Sequence, residues 1–354
     1  MTVDSLQLRE FSAFGNVTLA FVPGINVFIG TNGTGKSHAM KALYASLKTF
    51  EPSDSTIPIE ARLIEKFARV FKPEDGDVGR LVRRRGGPNR ATVVIAGTPG
   101  RMEMLWTHDF ADEEGELRLE EHTWQGTAPS IFLPTREVLA MYEGFVAAYN
   151  DRELSFDETY YDACVALSAS ALRGPRSVEA AALAEPIEAA LGGKVVLRGN
   201  RFYVNFPDGL MEAHLVAEGL RKIAGLGHLI TNGSLARNGV LFWDEPEANL
   251  NPQLVSMVVD LLVRLAGQGV QIFVSTHDYL LSHKLSLLAE YGQAAGVAVR
   301  FFSFHRPAPG DPVQVTDGGT LSELPENPIL AEFTKHYDFE RRLFDASAGT
   351  PRVP

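Results

Sequence analysis

Gly30-Thr31-Asn32-Gly33-Thr34-Gly35-Lys36-Ser37 decides how the rest of the chain is read. It fits the pattern G-x-x-x-x-G-K-[ST] at Gly30, Gly35, Lys36 and Ser37. Glycines let successive backbone N–H groups point at one anion. Lys36 supplies a cation for the β- and γ-phosphates, and the Ser37 hydroxyl is an oxygen ligand suited to Mg²⁺. The apolar run Ile25 to Ile29 precedes the loop, and Ser37 to Leu47 reads as a helix whose positive end faces the same site. Strand, glycine loop and helix form the context that a phosphate loop needs. The expected ligand is therefore a nucleoside triphosphate, ATP with Mg²⁺. His38 follows directly and belongs to the same stretch, as an ordinary helix residue rather than a catalytic one.

Two later segments share a design. Val240 to Trp243 is an apolar run that ends in Asp244 and Glu245. A carboxylate at a strand tip is held rigidly where open α/β sheets bind ligands. Asp244 is expected to hold Mg²⁺, and Glu245 to take the proton of an attacking water. Val270 to Ser275 is a second such run, followed by Thr276, His277 and Asp278. His277 at that tip is placed to hydrogen-bond a γ-phosphate and sense its loss.

Working outward, Leu6 to Phe14 and Val17 to Phe21 read as strands joined at Gly15-Asn16. Ile59 to Phe71 reads as a helix. Gly79 to Trp124 alternates between turns and reads as a small antiparallel subdomain, and Ser130 to Leu133 as a strand. Val138 to Tyr149, Phe156 to Ala171 and Val178 to Leu191 carry helical periodicity. A hairpin is expected over Lys194 to Leu197 and Arg201 to Phe206, and helices over Ala217 to Leu229, Gln253 to Ala266, Tyr279 to Tyr291 and Pro328 to Phe344. Val297 to Phe304 and Pro312 to Val315 alternate again. The fold class is α/β: a phosphate-loop fold with a mixed, mainly parallel central sheet, an N-terminal antiparallel β subdomain and a helical subdomain. We expect one domain, 1–354, with an N-terminal lobe 1–135, a helical part 136–230 and a C-terminal lobe 231–354.

The bulk composition narrows the partners. The net charge of −11 argues against a protein that coats a duplex, so any nucleic-acid contact must be local. The lone Cys164 can make no internal disulfide, which suits a reducing compartment and a cytoplasmic location. No apolar run approaches the roughly 18 residues of a membrane span, and the N-terminus lacks the basic and apolar regions of a signal peptide.

These motifs, in this order, resemble the ABC-type ATPases, and among them the soluble SMC, RecF and OLD-like branch. Asp244 to Pro252 is similar to the Walker B strand plus D-loop of that branch, and Ser275-Thr276-His277 to its switch histidine. The resemblance implies a head that dimerises with ATP sandwiched between two copies. Each phosphate loop would face the signature helix of the other copy, here Val216 to Lys222, with Gly219 as the signature glycine and Asn249 in the D-loop. Ala217 stands where the branch has Ser, and Glu218 adds a negative charge. No glutamine follows the strand at Ile131 to Glu137, where the branch has its Q-loop, so Arg136 or Glu137 takes that place. Phe11 and Phe14 are candidates to stack on adenine, with burial in the core as the other reading.

Arg80, Arg83, Arg84, Arg85, Arg90 and Arg101 cluster in the antiparallel region. They suit DNA phosphates, or an acidic protein surface, or the nearby acidic run Asp112 to Glu116. About 200 residues separate the two halves of the site, with no coiled-coil repeat among them. A compact head of this kind fits an ATP-driven switch in DNA repair or anti-phage defence, with a partner nuclease. A scaffold for an effector or toxin protein with no DNA contact is the alternative. The altered signature and missing glutamine argue against a transporter subunit.

Overall fold

Four short runs are buried at every position: Ile25–Gly30, Ser130–Leu133, Val240–Asp244 and Gln271–Thr276. Strands without a polar face belong in a parallel sheet covered on both sides. The computed structural model places them side by side, and it describes residues 2–51, 56–84, 89–109, 114–125, 129–152, 154–235 and 237–348. In chain order the strands are β1 (Val3–Arg9), β2 (Asn16–Ala20), β3 (Ile25–Gly30), β4 (Arg90–Gly97), β5 (Gly100–Asp109), β6 (Glu114–His122), β7 (Ser130–Leu133), β8 (Lys194–Arg198), β9 (Arg201–Phe206), β10 (Gly209–Glu212), β11 (Val240–Asp244), β12 (Gln271–Thr276), β13 (Val299–His305) and β14 (Gln314–Gly318). The helices are α1 (Lys36–Thr49), α2 (Ile59–Phe71), α3 (Tyr142–Asp151), α4 (Glu158–Leu167), α5 (Pro175–Leu191), α6 (Glu218–Thr231), α7 (Pro252–Gly267), α8 (Tyr279–Glu290) and α9 (Pro328–Ala348).

The central sheet has the order β14-β13-β3-β12-β11-β7. All its pairings are parallel except β13 with the edge strand β14. Register aligns the strand tips, with Ile29 opposite Thr276 and Ser275 opposite Asp244. Alternate residues serve two cores. Val27, Leu241, Trp243 and Val274 pack among α3 to α8, while Phe28, Phe242 and Phe273 pack toward α1, α2 and the antiparallel sheet. Cys164 is buried in the first core, and burial pushes its thiol up to about 12, so it acts there as an apolar filler. Among the described residues no helix is long and apolar enough to cross a membrane.

The mixed, mainly parallel sheet is as the sequence indicates, and the departures are local. The region from Gly79 to Trp124 does not stand alone: β4 pairs with β1, giving one five-stranded sheet, β2-β1-β4-β5-β6. β1 stops at Arg9 instead of reaching Phe14, because Glu10 and Ser12 take left-handed φ of 48° and 55° and break the ladder. Phe11 and Phe14 are fully buried loop residues. α3 begins at Tyr142, after Val138 and Leu139 have already entered the core. The hairpin gains a third strand, β10, across Pro207-Asp208-Gly209, whose turn chemistry was legible but unused.

Candidate nucleotide site

The glycine loop leaves the buried tip of β3 and runs directly into α1. Gly35 precedes α1 at φ 87°, and a Cβ there would lie 2.7 Å from Cζ of Phe14. Phe14 is therefore the floor under the loop, and an adenine-stacking role for it is excluded by its burial; the same holds for Phe11, whose ring packs on Trp106 with centroids 5.2 Å apart. Gly35→Ala is expected to lose about 1–3 kcal/mol of stability, read as a lowered Tm, and to lose nucleotide binding. A cavity of about 330 Å³ lies over the loop, lined by Asn32 to His38, Ser12, Ala13 and Glu245. Thr31 lies under its edge: its carbonyl accepts from Thr34 Oγ1 at 2.8 Å and from Lys36 Nζ at 3.1 Å. Lys36 Nζ also donates to the Gly30 carbonyl at 2.8 Å. Burial lowers the Lys36 pKa, against the opposing pull of Asp244, Glu245 and Glu247.

Ser37 Oγ donates to Asp244 Oδ1 at 3.0 Å, and Ser275 Oγ bonds the same oxygen. A hydroxyl and a carboxylate converging beside the phosphate loop form a hard oxygen pair of the kind that would suit Mg²⁺. Glu245 follows in a left-handed conformation, φ 51°, with its N–H bound to the Ser275 carbonyl at 3.0 Å. A non-glycine residue there costs on the order of 1 kcal/mol and persists only when its surroundings fix it. The turn aims the carboxylate at the cavity, where Oε1 sits 3.1 Å from His277 Nε2. Glu247 lies outside the cavity lining, half-buried, accepting from Thr276 Oγ1 at 2.8 Å and from the His277 N–H at 3.2 Å; desolvation raises its pKa. His38 lines the cavity and is bonded to Ser12, and desolvation by the surrounding protein lowers its pKa to about 4.

Gly219 and Asn249 are not at this cavity. They meet each other: a Cβ on Gly219 would lie 2.3 Å from the Asn249 carbonyl, and Asn249 Nδ2 donates to Glu218 Oε1 at 2.8 Å. The first turn of α6 and the D-loop thus form one surface, with a groove of about 500 Å³ beside them. Glu137 ties the strand β7 exit to α6 through Arg221, 2.8 Å apart and both largely buried. Arg136 is not in the loop cavity.

The arginines separate in space. Arg80, Arg83 and Arg84 line a second cavity of about 550 Å³, with Arg306 and Asp311, and it shares Ser12 and Ala13 with the first. Arg90 and Arg101 sit at opposite ends of β4–β5, opposite Thr107 and Ala96. The cluster therefore does not act as one patch: Arg101 pairs with Glu103 at 2.5 Å, Arg80 with Glu74 at 2.6 Å and Arg83 with Glu10 at 2.6 Å. Arg85, Asp112 and Glu113 lie outside the described residues. Sequence reasoning missed Arg306, whose Nη2 is 3.5 Å from the Gly33 carbonyl, and Ser12; nothing in their local sequence marks them.

This geometry can be set beside known proteins. Residues 135–282 match a family model described as "AAA domain, putative AbiEii toxin, Type IV TA system". The DNA replication and repair protein RecF of Streptococcus uberis is 48% identical over 44 residues, 12% of each chain. RecF of Oceanobacillus iheyensis is 28% identical over 120 residues, 34% of this chain and 31% of that protein. The matched stretches thus span about a third or less of those relatives. A solved SMC head, bound in its crystal to the C-terminal winged-helix domain of ScpA, superposes with a TM-score of 0.55 at 13% identity. It covers 91% of this chain and 99% of its own. That likeness speaks for the fold and runs nearly end to end.

The chain has the α/β phosphate-loop fold of an SMC head, and part of it resembles RecF. The cavity is lined by the Lys36 ammonium, the Ser37 hydroxyl and the Glu245 carboxylate, with Asp244 bonded to Ser37 and His277 to Glu245 beside it.

Proposed function

We propose that this protein binds Mg·ATP in the loop Gly30 to Ser37 and hydrolyses it. The observation that carries the reading is the Glu245–His277 pair, 3.1 Å apart, at the mouth of a cavity whose other wall is the phosphate loop. Lys36 exchanges its carbonyl partners for β- and γ-phosphate oxygens. Ser37 and Asp244 would hold Mg²⁺, which would supply positive charge against those phosphates. Glu245 takes a proton from the attacking water, and His277 orients Glu245 and senses the γ-phosphate. Gly219, Glu218 and Asn249 complete the site of a second copy, so ATP favours a homodimer.

The role we propose is a switch acting on DNA. Support comes from the naming of the RecF relatives and from Arg84, which is exposed at the rim of the arginine cavity. Arg80, Arg83 and Arg85 join it in this reading, Arg80 and Arg83 already sharing their charge with glutamates. Arg84→Glu is expected to weaken DNA binding about tenfold at low salt while leaving the Kd for ATP unchanged. A gel shift with and without ATP measures the first and fluorescent-nucleotide titration the second. Loss of ATP affinity with DNA binding intact would assign the arginine to the nucleoside instead.

A second reading is an ATP-dependent scaffold for an effector, toxin or nuclease, in defence against phage, without DNA contact. The net charge of −11 and the exposed Phe333, Tyr337 and Phe344 on α9 favour it. Co-purification of the protein encoded by a neighbouring gene, in an ATP-dependent complex that ignores DNA, is its test.

A further inference from the structure

Lys222 has no part in the chemistry above, yet it is one of the few buried ammonium groups in the chain. It leaves α6 one turn after Gly219 and is 7% exposed. Its Nζ donates to the backbone carbonyl of Glu245 and reaches the Ala248 carbonyl at 3.5 Å. No carboxylate lies within ion-pair distance of it among the described contacts; Glu247, Glu245, Asp244 and Glu218 act on it only from further away. An ammonium taken out of water costs free energy unless its donors are used. Packing alone would be served as well by Met or Leu. The donors of Lys222 are spent on the Glu245–Ala248 turn.

That turn needs holding. Glu245 is left-handed, and its two peptide groups are fixed from opposite sides. On the N-side, its N–H meets the Ser275 carbonyl of β12 at 3.0 Å. On the C-side, its carbonyl accepts from the Ala248 N–H at 3.2 Å and from Lys222. Arg221, the preceding residue, holds α6 itself in place through Glu137 at 2.8 Å and the Val216 carbonyl. We propose that Lys222 is a positioning residue: it fastens the carbonyl of Glu245 so that this left-handed turn keeps its carboxylate beside His277 and over the phosphate loop. The inference rests on the reading of Glu245 as the base.

The test uses the full chain and two variants. Lys222→Met removes the donors at similar length, and Lys222→Arg keeps a cation that can reach the same carbonyls. A displaced base costs rate more than affinity. Lys222→Met should lose about ten- to hundredfold in kcat with KM within about threefold of wild type, and Lys222→Arg should recover most of the loss. Hydrogen exchange supplies a readout independent of turnover. The amides of Glu245 and Ala248 should exchange faster in Lys222→Met, while those inside β11 stay protected. Wild-type kcat with wild-type exchange in Lys222→Met overturns the proposal. So does exchange that rises equally throughout β11 and β12, which would make the lysine a packing element only. Failure of the base reading is separate: Glu245→Gln would then turn over normally, and localised exchange in Lys222→Met would still mark Lys222 as the holder of the turn.

Discussion

Lys36→Ala weakens Mg·ATP binding by about 100-fold, because charge-assisted hydrogen bonds are worth roughly 1.5–3 kcal/mol each and this ammonium makes two or more to phosphate. The side chain is 6% exposed and folded over its own loop, against the Gly30 and Thr31 carbonyls. In the proposed site the ammonium, held by those carbonyls, stands where the β- and γ-phosphates would arrive. Alanine also leaves both carbonyls short of a donor, and part of the lost affinity will come from a loosened loop. Isothermal titration of wild type and variant measures it. The fold should survive, because the apolar contacts of α1 come from Met40, Leu43 and Leu47, on later turns. A variant that binds Mg·ATP like wild type would contradict the assignment of the site.

Glu245→Gln is expected to slow hydrolysis by about 10²–10³-fold, the range that a positioned general base contributes. Nucleotide affinity should be kept. Gln is isosteric, so the left-handed turn, its N–H bond to Ser275 and its contact with Lys222 remain. Single-turnover phosphate release measures the loss, and equilibrium binding shows that affinity is intact. His277→Ala should give a smaller loss in the same assay, because it removes the group that orients the carboxylate and leaves the carboxylate itself. Equal turnover in wild type and Glu245→Gln would move the base elsewhere, with Glu247 excluded by its position outside the cavity lining.

Much of this was legible in the sequence, for a physical reason. Strands such as β3, β11 and β12 are buried on both faces, so they read as unbroken apolar runs, and the residue after each run lies at the ligand-binding edge of the sheet. Gly30 to Ser37, Asp244, Glu245 and His277 could therefore be placed by order alone. Contacts between distant segments could not. Phe14 was read as part of a strand because alternation from Leu6 onward continues through it; only the left-handed residues Glu10 and Ser12 turn it under the loop. The six arginines are close in sequence, but the β4–β5 hairpin carries Arg90 and Arg101 at its opposite ends. Conversely, Arg306 is far from Arg84 in sequence and shares a cavity with it. Lys222 lay inside the segment read as the signature helix, and its partners are carbonyls, which no side-chain motif encodes.

The central claim is that the phosphate loop is half of an ATP site completed by the Gly219–Asn249 surface of a second copy. Sedimentation equilibrium of the Glu245→Gln chain, with Mg·ATP and with Mg·ADP, tests it most directly. The chain should be a dimer with ATP and a monomer with ADP, and should lose the ATP dimer when Gly219 is replaced by Ala, whose Cβ would strike the Asn249 carbonyl. A monomer in saturating ATP, or a dimer indifferent to nucleotide, would contradict it.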